Sequence, residues 1–445
     1  MPAEASLNHV HDRAPAFAEV FETLTFRAGF NTNIVIGGAT LLGLAAGVIG
    51  VFVLMRKRSL VTDALSHATL PGIGLAFLVA VWFGFDGRTL PVLLLGATVT
   101  GVIGVLCIQV LLRLPRLHED AAIGIVLSVF FGAGVVVLSY VQKNAPEGSA
   151  GLNTFIYGQA AAMRPPDVLL MAMIAVVAII TTLLFYKEFA VVCFDSPFAR
   201  VTGWPVSLID LVMMALVVAV TVAGLQAVGL ILVVAMLIIP PVAARFWTDR
   251  LWLIVILAGV IGALSGYFGS VLSALLPRKP AGAVIVLTCG GLFLISMLCA
   301  PARGVLAVAY RRLRLHLRIA ADHVLEAAHK RDVRSIQRAE WSELARRQGW
   351  SVVFAHSVAW WLRKAGYVQR AEQRSIDFTE TGLARGARVS RNHDLWEQYL
   401  TTYADIAPSH VDWSVDQVEH VLSEPLIAEL EHALAQRGES SGAGR

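Results

Sequence analysis

Long apolar runs separated by short polar turns dominate the chain up to about residue 303. Each run is about 20 residues long, the length that a helix needs to cross the hydrocarbon core of a membrane. No polar break separates the sixth run from the seventh, so a kink, a re-entrant loop or one merged span stays open there. The pattern predicts eight or nine transmembrane helices. Their ranges are 33–55, 63–85, 90–112, 120–141, 166–186, 206–226, 227–247, 251–276 and 281–302.

Composition supports a membrane protein. The 445 residues are 56% hydrophobic and 15% charged, whereas a soluble domain averages about 25% charged residues. The mean hydropathy is +0.67. The cysteines follow no paired spacing, so we expect small core residues and not a disulfide framework or a thiolate metal site. They are Cys107, Cys193, Cys289 and Cys299.

The positions of Lys and Arg predict the topology, because these residues concentrate in cytoplasmic loops. Alternation through nine helices places the N-terminus outside and the C-terminus in the cytoplasm. Arg278 and Lys279 fall on the outer side and are the one exception. Residues 142–164 become an external loop with a short half-helix at 154–160. The basic cytoplasmic clusters are 56–58, 113–116, 187–200, 245–250 and 303–318.

A carboxylate and an imidazole lie inside the second apolar run. Asp63 and His67 are four residues apart, so a helix places them on one face. His67 lies nine residues past Arg58, roughly 13 Å along a helix, which is deep in a hydrocarbon layer about 30 Å thick. Ionisable groups there are costly and generally functional, and this pair suits a divalent ion such as Zn or Mn. A hydrogen-bonded pair that only fixes helix packing is the alternative.

Two further stretches, the cytoplasmic connection 194–204 and the double proline at 240–241, predict local structure or a binding surface. Residues 194–204 form the longest cytoplasmic connection and contain an amphipathic element placed to dock another protein, although an ordinary polar turn fits as well. Pro240 and Pro241 remove backbone donors and predict a break or kink in the seventh helix. The sequence has no Gly-x-x-x-x-Gly-Lys-Ser/Thr motif, so we expect no ATP hydrolysis by a P-loop in this chain.

From about residue 320 the pattern becomes that of a soluble helical domain. Three helices followed by a two-stranded wing is the order of a winged-helix domain. The candidate recognition helix, 351–364, carries Val352, Val353 and Trp360 and few side chains that read base edges, which argues against DNA binding. The predicted helices are 320–330, 339–347, 354–365, 379–400 and 412–436, and the predicted strands are 366–370 and 374–379.

Residues 33–303 resemble the membrane permeases of ABC transporters that take up zinc, manganese or iron from a periplasmic or lipoprotein binding protein. The matching segments follow the family's order and cover nearly the whole transmembrane part. They are 56–72, 118–124, 194–203, 226–240 and 280–287.

This resemblance implies a translocation path between two copies of the chain, with Asp63 and His67 at the metal-coordinating positions. It also implies that a cytoplasmic loop couples the permease to a separate ATPase subunit. The implied coupling positions are Asp195, Ala199 and Gly203.

The soluble end resembles metal-dependent repressors of the diphtheria toxin repressor and manganese regulator family. Segments 378–382, 392–397 and 418–423 carry this resemblance. It implies a metal site on the helices that bind metal and form dimers in that family. Imidazoles and carboxylates without thiolates suit Mn or Fe(II) over Zn. The implied ligands are His393, Glu397, Asp416, Glu419 and His420.

The fold class that follows is an all-α polytopic membrane protein with a C-terminal cytoplasmic winged-helix and helical dimerisation domain. The favoured function is the permease subunit of an ABC importer for divalent metals, Mn first and then Zn or Fe, in a bacterial inner membrane. A membrane-anchored, metal-dependent DNA-binding regulator is the alternative, and an ion-coupled secondary transporter is a third. The predicted divisions are an N-terminal tail, the permease, a linker helix, the winged helix, the metal-binding and dimerisation helices and a disordered tail: 1–32, 33–303, 304–319, 320–385, 386–436 and 437–445.

Overall fold

The structure is a computed structural model that describes most of the chain, and its chain forms two compact units that divide at Ala307. The first unit is built from helices, and the second combines helices with a small sheet. The described residues are 17–56, 58–85, 90–114, 117–144, 163–276, 280–370 and 375–403.

Within the described part of the first unit, eight stretches are long and apolar enough to cross a membrane, and Leu232–Arg245 is a shorter apolar stretch. One of the eight, Leu60–Trp82, combines two consecutive helices. The prediction of eight or nine transmembrane helices is therefore confirmed, and the shorter apolar stretch accounts for the difference between the two counts. The helices are α1 Phe17–Leu24, α2 Phe30–Met55, α3 Ser59–Ala68, α4 Leu70–Trp82, α5 Leu90–Leu111, α6 Glu119–Asn144, α7 Pro165–Leu184, α8 Tyr186–Phe194, α9 Ser196–Val201, α10 Val206–Val228, α11 Leu230–Arg245, α12 Leu251–Leu275 and α13 Ala281–Cys299.

The interruption between α10 and α11 lies at a glycine. Gly229 has a φ of +85°, a conformation that glycine adopts without a steric penalty and that ends a helix. Pro240 and Pro241 lie inside α11, which continues to Arg245, so the helix is not broken at the prolines. A proline inside a helix removes one hydrogen bond, and packed neighbours can tolerate this loss in a membrane protein.

The segment assigned to an N-terminal tail contains the helix α1. The hydroxyl of Tyr267 in α12 donates to the carbonyl of Leu24, the last residue of α1. The ring of Phe26 packs on the same tyrosine, with 5.7 Å between ring centroids. A tyrosine can fix a short helix in this way because it offers an apolar ring and one donor.

Small residues bring α2 and α12 into close contact. A Cβ atom added to Gly43 would lie 2.1 Å from the carbonyl oxygen of Gly262, and the reverse distance is also 2.1 Å. A Cβ atom added to Gly47 would lie 2.2 Å from the carbonyl oxygen of Ala258. Small residues allow helix backbones to approach closely in membrane proteins. The contact between α2 and α12 therefore depends on glycine at these positions.

Within its described residues, the second unit contains the predicted helices and the predicted wing, together with one unpredicted strand. Its three-stranded antiparallel sheet has the order β1-β3-β2, with Ile336 opposite Ile376 and Gln369 opposite Asp377. The predicted helix 412–436 and the predicted half-helix 154–160 lie outside the described residues. The elements are α14 Val305–Lys330, β1 Ser335–Gln337, α15 Arg338–Arg347, α16 Val352–Lys364, β2 Val368–Arg370, β3 Ser375–Phe378 and α17 Glu380–Tyr403.

We predict that Gly262→Val lowers the thermal unfolding midpoint of the purified protein in detergent. The added side chain would meet the backbone of Gly43, and overpacking of this kind costs about 1–3 kcal/mol or more. Gly290→Val in α13 is the matched control, because nothing lies within 4 Å of a Cβ atom added there. Equal midpoints for the two variants would contradict the close contact between α2 and α12.

Candidate metal site and coupling element

Asp63 and His67 face each other on α3, as their spacing predicts. Nε2 of His67 lies 3.5 Å from Oδ1 of Asp63, which is long for a direct hydrogen bond. Two adjacent ligands of one ion, with bonds of about 2.1 Å, lie about 3.0–3.5 Å from each other. The two donor atoms therefore have the spacing needed to hold a divalent cation between them.

A proline ends the helix that carries this pair. Pro71 has no amide hydrogen to offer the carbonyl of His67, so a continuous helix cannot pass through this point without losing a bond. Accordingly, α3 ends at Ala68 and α4 begins after Thr69. The hydroxyl of Thr69 donates to the carbonyl of Ser66 at 2.7 Å, so it is used internally. The polar residues beside the pair thus shape the backbone.

The imidazole of His67 is positioned by an aromatic ring on α6. The ring of Phe131 meets it edge to face, with 4.9 Å between centroids, a favoured arrangement for aromatic pairs. Nδ1 of His67 is buried and has no hydrogen-bond partner among the described residues. Nε2 is the nitrogen that faces Asp63. This nitrogen is therefore the one that can contact an ion.

One copy of the described chain supplies only part of a coordination shell here. Among the residues whose placement is described, no group of three or more His, Cys, Asp or Glu could hold an ion. The side chain of Asp63 is 41% exposed and that of His67 is 22% exposed. Both side chains are therefore partly accessible to water, an ion or another chain.

The loop predicted to couple the permease to another subunit forms the short helix α9. Asp195 caps this helix, because its Oδ1 accepts from the backbone nitrogen of Phe198 at 2.9 Å. Ala199 is completely buried. Gly203 has a φ of +86°, which suits a turn that only glycine forms easily. The three residues named from the sequence therefore determine the shape of the loop.

The exposed surface of this loop consists of residues that the sequence analysis did not single out. Phe198 is 56% exposed and Val201 is 88% exposed. Phe194 and Trp204 flank them and are also exposed. Large apolar side chains exposed together indicate a protein-binding surface. The signal in the sequence was the spacing of these apolar residues within an otherwise polar connection.

Cys193 in α8 lies close to this loop but does not provide a thiolate. Burial raises the pKa of its thiol to about 12, so the thiol is neutral at physiological pH. A neutral thiol is a poor metal ligand. For Cys193, the expectation of a small core residue agrees with this environment.

In the second unit, a histidine predicted as a ligand lies beside a carboxylate that was not predicted. Nδ1 of His393 in α17 is 3.9 Å from Oε1 of Glu326 in α14. Glu326 is largely buried, and Lys330 contacts the same oxygen at 2.7 Å. The imidazole and carboxylate are suitable ligands for Mn or Fe(II). Four positions implied by the resemblance lie outside the described side chains: Glu397, Asp416, Glu419 and His420.

Asp322, one turn before Glu326, is already held by an arginine. Its carboxylate accepts two hydrogen bonds from Arg385, at 3.0 and 2.8 Å. This hydrogen bonding raises the pKa of the Arg385 guanidinium. Asp322 is almost completely buried, so the bidentate pair ties α14 to α17. The structure places Asp322 in a structural ion pair.

Comparison with known proteins agrees with this division of the chain. Residues 31–300 match the ABC 3 transport family, and residues 379–440 match the iron dependent repressor, metal binding and dimerisation domain. Part of the second match lies beyond the described residues.

Two relatives and one solved structure illustrate the similarity. The manganese transport system membrane protein MntC of Bacillus subtilis is 38% identical over 378 residues, which are 85% of this chain and 86% of that protein. The zinc transport system membrane protein TroC of Treponema pallidum is 44% identical over 285 residues, 64% of this chain and 94% of that protein. A chain of PsaBC from Streptococcus pneumoniae, solved in complex with Fab, is 28% identical with a TM-score of 0.55 and covers 66% of this chain and 100% of that chain.

The first match spans more than half of the sequence, and it coincides with the unit that contains the membrane-crossing helices and the Asp63–His67 pair. The chain is therefore a multi-pass membrane protein of the ABC 3 transport family, with a repressor-type metal-binding and dimerisation domain at its carboxyl end.

Proposed function

We propose that this chain is the permease subunit of an importer for divalent transition metal ions. The observation that carries the proposal is the Asp63–His67 pair, whose donor atoms are 3.5 Å apart on a helix inside the membrane unit. A carboxylate and an imidazole in a membrane are costly unless they have a function. Two ligands suit an ion in transit, because a site on a conduction path must also release the ion.

Manganese is the first candidate, followed by zinc and iron. Relatives of this chain carry names of manganese and zinc transport system membrane proteins. The pair offers one nitrogen and one oxygen donor and no thiolate. Borderline divalent ions accept this mixture, and geometry and availability decide among them more than raw affinity does.

A second copy of the chain is the partner that would complete the path. Asp63 and Phe131 are both exposed on one surface of the single copy, and lipid is an unfavourable neighbour for a carboxylate. Two copies packed on this surface would bring two such pairs together and could supply the missing ligands. The C2 dimer is also the commonest symmetric assembly.

Separate subunits would supply energy and deliver the metal. The printed sequence has no P-loop motif, and the exposed Phe198 and Val201 on α9 offer an apolar surface for a cytoplasmic ATPase. A periplasmic or lipoprotein metal-binding protein would deliver the ion from outside. Asp195, Ala199 and Gly203 would then hold the coupling loop in its docking shape.

The positions of basic residues support an inner-membrane location with a cytoplasmic C-terminus. This topology requires α10 and α11 together to cross and return, because basic clusters precede α10 and follow α11. At 16 residues, α11 is about 24 Å long, slightly shorter than the hydrocarbon core.

The soluble unit would sense cytoplasmic Mn or Fe. Its proposed parts are a linker helix (304–319), a winged helix (320–385) and metal-binding and dimerisation helices (386–436). Glu326 and His393 are the described residues that fit such an ion, and the resemblance to the repressor family adds Glu397, Asp416, Glu419 and His420 as proposed ligands. DNA binding is disfavoured, because Val352 and Val353 are 74% and 78% exposed at the start of the candidate recognition helix. The anchored-regulator alternative predicts metal-dependent DNA binding by this unit.

We expect His67→Ala to abolish manganese uptake by the reconstituted transporter, because one of the two donors is lost, while assembly with the ATPase persists. Uptake of Mn, Zn and Fe(II) into proteoliposomes that contain the ATPase and the binding protein measures this effect. His118→Ala, an exposed histidine outside the proposed path, is the control. Normal uptake by His67→Ala would refute the ligand role.

Replacing Glu419 and His420 by Gln and Ala should change how uptake responds to cytoplasmic Mn but leave the basal rate unchanged. The reason is that these ligands belong to the sensing unit and lie outside the path. His393→Ala should have the same effect and should also weaken Mn binding in titration calorimetry. The exposed His356 provides the control, His356→Ala. A transporter inactivated by the Glu419 and His420 changes would show that the tail is structural.

A further inference from the structure

A buried group of charges joins three segments at one end of the membrane unit. Asp210, the fifth residue of α10, is 6% exposed, and Arg58, which precedes α3, is 9% exposed. Oδ1 of Asp210 pairs with Arg56 at 3.2 Å, and Oδ2 pairs with Arg58. One carboxylate thus bridges two arginines, which flank the junction between α2 and α3.

Arg56 extends this group to the coupling element. Its Nη1 donates to the carbonyl of Val192 in α8 at 3.0 Å and to the hydroxyl of Ser196, the first residue of α9. Arg56 therefore contacts the backbone of α8 and the side chain of Ser196, which lies in the loop proposed to dock the ATPase. A displacement of α9 changes the position of the guanidinium that Asp210 holds.

Arg58 extends the group in the other direction, towards the metal site. It pairs with Glu119, the first residue of α6, and α6 carries Phe131 against the imidazole of His67. Arg58 also directly precedes α3, on which Asp63 and His67 lie. Arg58 therefore contacts the first residue of α6 and directly precedes the first residue of α3, and these two helices position the imidazole.

The energetics of burial make the connection stiff. Removing one partner from a buried ion pair leaves an uncompensated charge, which is strongly unfavourable. Arg56 has Asp210 as its carboxylate partner, and Arg58 is held by Asp210 and Glu119 together, so these groups are expected to move together. A cavity lined in part by Arg58, Gln109 and Asp210 adjoins these side chains. Its volume is about that of one water molecule, so the side chains have room for a small displacement.

We propose that Asp210 is a positioning residue that transmits movement of the coupling loop, through Arg56 and Arg58, to the helices that hold Asp63 and His67. The proposal rests on the importer function proposed above. It assigns to this group of charges the link between ATP-driven displacement of α9 and a change in the geometry of the metal site.

The test uses Asp210→Asn in the complete transporter, reconstituted with its ATPase and metal-binding protein. Asparagine keeps the shape of the side chain and removes the charge that both arginines share. We expect ATP hydrolysis to stay within about twofold of wild type, whereas manganese uptake per ATP hydrolysed falls by about tenfold or more. This ratio separates transmission from folding, because a loss of assembled complex lowers both rates equally.

Two further variants keep the test decisive. Asp249→Asn removes an exposed ion pair with Arg303, 2.6 Å long and in the same unit, and should leave the ratio unchanged. Arg56→Lys keeps the charge but cannot make the same forked contacts, so its ratio should also fall; it replaces Asp210→Asn if that variant does not assemble.

An unchanged ratio in Asp210→Asn, at a wild-type amount of assembled complex, would overturn the proposal. Where Asp210→Asn does not assemble, an unchanged ratio in Arg56→Lys would overturn it. If the wild-type complex hydrolyses ATP without taking up any metal, the importer function itself is wrong and this proposal falls with it. The two failures are distinguishable, because only the second is visible in the wild type.

Discussion

The cost of placing charge inside an apolar body determines how the membrane unit is built. Asp210 is buried, and it is stabilised by Arg56 and Arg58, which would themselves be costly to bury without it. Asp63 and His67 face each other at 3.5 Å, too far apart for a strong pairing. The first group is electrostatically closed and joins helices, whereas the second is open and offers ligands. Buried charges of the first group are stabilised by their pairing. Ionisable groups of the second kind are unfavourable in a membrane and are retained because they have a function.

The same distinction applies to the soluble unit. The carboxylate of Asp322 accepts two hydrogen bonds from Arg385. The carboxylate of Glu326, by contrast, lies close to Lys330 and at a longer distance from His393. An ion bound by Glu326 and His393 would compete with the ammonium group of Lys330. Such competition would lower the affinity for metal, which suits the sensor proposed above, because a sensor must release its metal when the concentration falls.

The sequence was sufficient where a feature depends on local spacing. The Asp63–His67 pair needs only the i,i+4 geometry of a helix, and the helices and wing of the second unit follow from hydrophobic periodicity. Features that depend on distant residues were not accessible: Arg56 and Asp210 are 154 positions apart, and one sequence gives no sign that they meet. The division between the sixth and seventh helices was predicted within a few residues of Gly229, whereas the break or kink predicted at Pro240 and Pro241 does not interrupt α11, because packed helices tolerate these prolines.

The comparisons match the two units to different protein families. An alignment that covers 64% of this chain already covers 94% of the zinc transport relative from Treponema pallidum, so a membrane protein of this family has no counterpart to a large part of this chain. The match to the transport family ends at residue 300, before the second unit begins. Its winged-helix order is retained, but α16 exposes Val352, Val353 and Trp360 where base-reading side chains would be needed. Retaining the fold without DNA-reading residues supports the proposal that this domain binds metal and regulates the permease.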